Sequence, residues 1–178
     1  MAGMDWYGTV FEVIDMRSFS NLWFWIVLAV LWSSTSHWVL GVPFDMVARA
    51  RRSGGQAEQD LEDLVRINTN RFLYIVDESG LFLSALTSAF LSGAAILGFW
   101  YGVELAQALF LLGFPMTLVG LLSVYSARRI RAGEQAGERL WRRLRLHRVV
   151  TQMIGLVSIF VTALWGMFQN LSVGVLGG

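Results

Sequence analysis

Four stretches of the chain carry mostly apolar side chains over about 20 residues each, and polar segments separate them. They cover residues 22–42, 80–101, 105–127 and 149–169. A helix rises about 1.5 Å per residue, so about 20 residues cross the hydrocarbon core of a bilayer. Within lipid every backbone N–H and C=O needs a partner in its own segment, which favours continuous helices. The pattern predicts an all-α polytopic membrane protein with one four-helix transmembrane domain over residues 1–178.

Three polar segments outside these stretches place apolar residues at helical spacing. Residues 1–19 predict a short amphipathic helix that lies in the outer membrane interface. Residues 58–75, between the first two spans, and residues 137–148, before the last, predict amphipathic helices within the loops. Charge spacing supports the two loop helices, because Glu62 and Arg66, like Glu138 and Arg142, stand four residues apart.

The basic residues fix the predicted orientation. All 14 are arginines, and 13 of them fall in the two loops that follow spans one and three. Cytoplasmic loops retain basic residues, whereas short translocated loops avoid them. We therefore expect these loops in the cytoplasm, and both termini and the turn at residues 102–104 in the periplasm, for a protein of the bacterial inner membrane. The 13 arginines are Arg49, Arg51, Arg52, Arg66, Arg71, Arg128, Arg129, Arg131, Arg139, Arg142, Arg143, Arg145 and Arg148.

Composition agrees with a membrane protein and removes several chemistries. The chain is 55% hydrophobic and 15% charged, far from an ordinary soluble protein. It contains no Cys, which excludes disulfides, thiol nucleophiles, thiolate metal sites and cysteine-ligated iron–sulfur clusters. Asp5, Glu12 and Asp15 precede the first cation, Arg17, so we expect no cleaved signal peptide. We also expect no enzymatic activity and no cofactor.

The two loops carry clusters of opposite charge. In the second loop Arg139, Arg142 and Arg143 belong to a set of eight arginines, and the same loop contains two acids. Cations beside a membrane helix attract anionic headgroups by about 1 kcal/mol each. The alternatives are that these arginines bind anionic lipid or a soluble protein, or that they pair with the acids of the first loop; nucleic acid is not an expected partner. Those acids are Glu58, Asp60, Glu62 and Asp63.

Two histidines and one polar run are the other candidates for chemistry. His37 and His147 are near the same predicted membrane face, where two imidazoles can clamp a haem iron. The alternative interpretations are that His37 is an interfacial histidine and that His147 is part of a basic helix end. As an alternative, the run SSTSH at residues 33–37 and the face that contains Gln107 can line a water-filled path in a small transporter or channel subunit, although hydroxyls also bond to the preceding turn. Pro115 predicts a kink in the third span.

Small residues recur every four positions along the spans. This spacing lets helix backbones approach closely, either inside the bundle or at a face for a second membrane subunit. The sets are Ser84, Ser88 and Ser92; Ala85, Ala89 and Gly93; Gly98 and Gly102; and Ser158, Thr162 and Gly166. A weak repeat at an offset of 79 residues also relates the loops, either by duplication or by chance. It aligns Arg52, Gly54, Gln56, Ala57 and Leu61 with Arg131, Gly133, Gln135, Ala136 and Leu140.

The stretches RSFSNLWFWI, SHWVLGVPFDM, QAEQDLEDLVRIN and VSIFVTALWGM resemble a family of small membrane proteins from alphaproteobacteria of the Rhodobacter group. Members of that family are labelled a component of the SufBCD complex, which builds iron–sulfur clusters in the cytoplasm. The resemblance carries no catalytic residues. It implies a non-enzymatic membrane adaptor or anchor whose loops dock a soluble partner, with the Suf machinery as the candidate.

Overall fold

The structure is a computed structural model that describes Phe19 and residues 22–176, with side chains described as far as Leu171. The interfacial helix expected over residues 1–19 lies outside the described residues except for Phe19. The elements in chain order are α1 (Leu22–His37), β1 (Trp38–Val39), β2 (Val42–Pro43), α2 (Phe44–Ser53), α3 (Gly55–Ala95), a π-helical turn (Ile96–Trp100), α4 (Glu104–Arg131) and α5 (Gly137–Leu176).

The fold is all-α apart from one small hairpin, and three helices of the described chain are long and apolar enough to span a membrane. They are Gly55–Trp100, Glu104–Arg131 and the described part of α5, Gly137–Leu171. The second and fourth predicted spans are not separate elements. Each continues without a break into the amphipathic segment expected in the loop before it, because no proline interrupts either stretch.

The first predicted span differs most from the structure. The helix α1 ends at His37, five positions before the expected end at Val42, and the chain turns back as a two-stranded hairpin. Leu40 and Gly41 form its turn with φ values of 53° and 74°. Positive φ at both central residues is typical of the tightest hairpin turns. With 16 residues, α1 is apolar but shorter than the three helices that are long enough to span a membrane.

One stripe of α1 packs against both α4 and α5. Phe24, Leu28 and Trp32 are buried at four-residue spacing. At Gly155 of α5 the indole of Trp32 lies so close that an added Cβ would stand 2.7 Å from Cε3. The helices α1 and α5 therefore approach closely because α5 has a glycine at the point of contact.

The first described residue ties α1 to the start of α4. The backbone N–H of Phe19 donates to Oε1 of Glu104 over 2.7 Å, and Phe19 also packs at Gly166 of α5. Glu104 begins α4 directly after the turn that ends α3. The start of α1 thus lies at the end of the bundle opposite the hairpin.

The loop segments fold into a second core at the other end, which we call the arginine cap (residues 38–79 and 128–148). The hairpin, α2, the first half of α3 and the facing ends of α4 and α5 meet there. Leu61, Leu140 and Leu144 are fully buried. The loops are therefore a folded subdomain and not flexible connections. Its buried residues are Val39, Val42, Val47, Ala50, Leu61, Val65, Ile130, Leu140 and Leu144.

Candidate functional site in the arginine cap

Three arginines from two helices line one notch on the surface of the cap, which we call the arginine notch (Arg51, Glu138, Trp141, Arg142 and Arg145). It encloses about 260 Å³. Glu138 is its one acid and lies 3.7 Å from Arg142, and both side chains are largely exposed. The indole N–H of Trp141 is buried and has no hydrogen-bond partner. The notch therefore offers an excess of positive charge and guanidinium donors, which suit a carboxylate or a phosphate.

Arg143, expected to face a partner, is instead held inside the cap. Its Nη2 donates to Oε1 of Glu134 over 2.8 Å, its Nε donates to the other carboxylate oxygen, and its guanidinium lies over the ring of Tyr125. The hydrogen bond from Arg143 lowers the pKa of Glu134. The same pair raises the pKa of Arg143. This clamp closes the turn between α4 and α5, so Arg143 has a structural role.

Arg139 and Arg142 remain exposed, as the docking hypothesis requires. Within the described residues no ion pair joins them or Arg143 to the acids of the first loop. Asp60 accepts from Gln56 over 2.8 Å and Asp63 pairs with Arg66 over 2.9 Å. The internal pairing of the two charge clusters is therefore not seen in this part of the chain.

Glu62 has a partner that its spacing does not reveal. The pattern pairs it with Arg66, but Arg66 pairs with Asp63, and Oε1 of Glu62 accepts from the backbone N–H of Gly137 over 2.8 Å. Gly137 begins α5, where the first N–H groups lack partners within the helix. Glu62 therefore joins α3 to the start of α5. The other expected pair, Glu138 with Arg142, is confirmed.

A larger cavity of about 500 Å³ lies where the cap meets the spans, and we call it the interfacial cleft. The cavity is lined by Thr35 of α1, by Val119 and Ser123 of α4, and by Asn68, Thr69 and Arg71 of α3. Arg71 and His147 are its titratable groups, and no carboxylate lines it. Its lining residues are Thr35, Trp38, Leu40, Gly41, Asn68, Thr69, Arg71, Phe72, Ile75, Val119, Ser123 and His147.

Two surface features of the cap thus carry positive charge, the notch and the cleft. A comparison of the chain with protein-family models, curated proteins and solved structures found no match. The ligand class of each site therefore has to follow from its side chains.

His147 is buried in the wall of the cleft, just before the span expected to begin at Val149. Its Nδ1 lies 3.1 Å from Oγ of Ser126, a hydrogen-bond distance, and the residue is 3% exposed. Burial lowers the pKa of His147 to about 4. The imidazole is therefore neutral near pH 7.

His37 lies elsewhere. It is exposed at the end of α1 and lines a separate recess with Ser33, Ser34, Ser36, Trp38 and Arg148. The two histidines line different cavities. Across the described residues no group of three or more His, Asp or Glu side chains is placed to hold a metal ion. The absence of a cofactor stays a prediction.

Gln107 is buried in a network of hydrogen bonds near the start of α4. Its amide N–H donates to the carbonyl of Gly98 over 2.8 Å, and its oxygen accepts from Trp165 over 2.9 Å and from Gln169. Thr35, in the polar run of α1, donates to the carbonyl of Leu31 over 2.7 Å. Gln107 and Thr35 thus both have hydrogen-bond partners within the chain.

The small-residue stripes divide into two kinds. Ser158, Thr162 and Gly166 are buried against the rest of the bundle, which agrees with internal packing. Ser84, Ser88 and Ser92 are exposed on the outward face of α3. Pro115 is buried within α4, which continues through it as one helix.

Proposed function

We propose that the chain crosses the bacterial inner membrane four times and holds the arginine cap in the cytoplasm, with both termini in the periplasm. The 13 arginines of the two loops support this orientation. The packing of α1 supports a fourth span, because α1 runs from the Phe19–Glu104 contact at one end of the bundle to the hairpin of the cap at the other. The 16 residues of α1 rise about 24 Å, which is close to the thickness of the hydrocarbon core, about 30 Å.

We propose further that the protein is a non-enzymatic membrane adaptor whose cap docks a soluble partner. The observation that carries this proposal is the arginine notch, where Arg51 of α2 adds its charge to Arg142 and Arg145 of α5. Guanidinium groups bind carboxylates through two parallel hydrogen bonds, so an acidic side chain on a partner suits the notch. A folded cap gives such a partner a rigid surface, and long side chains then lose less freedom on binding.

The partner that the sequence resemblance suggests is the SufBCD complex, and it serves as the first probe. Purified SufBCD is applied to the full chain in nanodiscs of neutral phosphatidylcholine, and binding is measured by interferometry. The test variant R142Q/R145Q removes two charges from the notch. The matched control R66Q/R128Q removes two charges from arginines that pair with Asp63 and Asp77 on their own chain.

Binding is expected to weaken at least about tenfold in the notch variant, by loss of charge-assisted hydrogen bonds, and to change little in the control. It is also expected to weaken as salt rises, because the Debye length shrinks from about 10 Å at 0.1 M to about 3 Å at 1 M. No binding by the unaltered protein removes SufBCD as the partner. Equal weakening in both variants removes the notch as the docking site. A parallel series of nanodiscs contains anionic lipid, and binding that appears only in that series assigns the attraction to the membrane surface.

A further inference from the structure

The interfacial cleft is an unassigned cavity with features of a ligand site, and it is separate from the arginine notch. Its volume of about 500 Å³ lies in the range of small-molecule sites. Its lining includes the apolar side chains of Phe72, Ile75 and Val119. It also includes the polar side chains of Arg71 and Thr69. An occupant therefore needs an apolar part and a polar head.

The polar part of the lining contains a hydroxyl that lacks a partner. Thr69 is 2% exposed, and its Oγ1 has no hydrogen-bond partner, not even the carbonyl one turn earlier that helical threonines commonly use. A buried polar atom without a partner is costly, because it has lost its bonds to water. An acceptor atom on a bound molecule satisfies it.

The charge of the residues that line the cleft indicates which charge the polar head of a ligand carries. Arg71 is exposed at the cleft, no ion pair is seen for it within the described residues, and the lining has no carboxylate that neutralises it. Asn68 already donates its amide N–H to the carbonyl of Gly41 over 3.1 Å. The Arg71 guanidinium and the Thr69 hydroxyl are donors for a ligand, and both suit a phosphate oxygen.

The position of the cleft selects the source of this phosphate. The cleft straddles the junction of the spans and the cap, which is the depth of lipid headgroups for a bundle inserted in a membrane. We propose that the interfacial cleft binds one anionic phospholipid, with its phosphate on Arg71 and Thr69 and an acyl chain along Phe72, Ile75 and Val119. The lipid then fills the space between α1 and α3 and fixes the cap on the bundle.

Native mass spectrometry of the delipidated full chain tests this proposal, with phosphatidylglycerol and phosphatidylcholine as the two probes. We expect one phosphatidylglycerol per chain, bound about tenfold or more tightly than phosphatidylcholine and not displaced by millimolar inorganic phosphate. R71Q and T69V are each expected to weaken phosphatidylglycerol binding about tenfold, as for a lost charge-assisted hydrogen bond. The matched control R66Q removes the same charge from the same helix outside the cleft, and it is expected to bind normally.

Three outcomes overturn the proposal. Equal binding of the two lipids shows that the headgroup charge is not recognised. Equal weakening by R66Q and R71Q reduces the effect to general attraction by a basic surface. Displacement by inorganic phosphate assigns the site to a free anion. Because Arg71 is exposed and Thr69→Val keeps the side-chain volume, both variants are expected to fold, and a thermal melt of each checks this.

Discussion

Arg143 and Glu134 form a two-bond clamp across the turn that joins α4 to α5, with Arg143 donating through both Nε and Nη2. Their side chains are 12% and 25% exposed, so water screens the pair far less than the other ion pairs of the cap. We predict that E134Q lowers the free energy of unfolding by about 1–3 kcal/mol, the cost of leaving a charged donor without its partner. Thermal melts in detergent measure this loss of stability.

An exposed ion pair gives the control for this prediction. Asp45 and Arg49 are 3.9 Å apart on α2 and more than half exposed, so D45N is expected to stay within about 0.5 kcal/mol of the unaltered protein. A double-mutant cycle of E134Q and R143Q isolates the pair itself. Additive effects in that cycle contradict the clamp.

Acid should destabilise the protein through His147. Because burial lowers the pKa of His147 from 6.5 to about 4, the unfolded chain takes up a proton at higher pH than the folded chain does. The free energy of unfolding therefore keeps its full value above about pH 6.5 and decreases as the pH falls toward 4. The expected decrease is about 2 kcal/mol between pH 7.5 and pH 5. Melting temperature is measured across that interval, above the range in which Glu134 titrates, since its pKa is lowered from 4.5.

The variant H147N removes the titrating group and retains a polar atom near Oγ of Ser126. It is expected to flatten the decline in melting temperature between pH 7.5 and pH 5. A decline as steep as in the unaltered protein assigns the acid sensitivity to other groups.

The contact between α1 and α5 depends on the absence of a side chain at Gly155. An added Cβ would meet the ring of Trp32 at 2.7 Å, and a buried indole cannot move aside easily. We predict that G155A destabilises the protein by about 1–3 kcal/mol. In the control G120A, on α4, the added Cβ has no atom within 4 Å. That change is expected to be neutral or stabilising by up to about 1 kcal/mol, because Ala favours helix. Equal effects of the two changes exclude close packing as the cause.

The sequence predicts the all-α class and the membrane-spanning helices because apolar length and helical periodicity are local properties. It does not predict the hairpin after His37. Residues 38–42 are as apolar as the span before them, and Leu40 adopts a positive φ that side chains other than Gly rarely take. Burial of Val39 and Val42 in the cap accounts for this turn, and that burial depends on residues far along the chain.

The partners of the site residues are likewise predictable only where both residues are close together in the sequence. Glu138 pairs with Arg142 as the helical spacing indicates, because both residues are on one exposed helix. The partners of Glu62 and Glu134 are not predicted by helical spacing. Tertiary packing brings Gly137 to Glu62 and Arg143 to Glu134. The repeat of the two loops has two visible structural consequences.

Both members of the aligned pair Leu61 and Leu140 are fully buried in the core of the cap. The aligned glycines Gly54 and Gly133 both adopt positive φ shortly after a helix ends. The preceding elements differ, since α2 has 10 residues and α4 has 28. The likeness is therefore local to the helix ends, where a glycine and a core leucine have the same structural roles.

The orientation of the arginine cap is the central claim, because docking by the cap requires it to face the cytoplasm. The chain has no Cys, so a single cysteine can be placed without background. V103C marks the turn between α3 and α4, and A136C marks the exposed turn of the cap between α4 and α5. A membrane-impermeant maleimide is applied to cells whose outer membrane has been made permeable. Labelling of V103C in intact inner membranes, with labelling of A136C only after detergent is added, is the predicted result; labelling of A136C before detergent contradicts it.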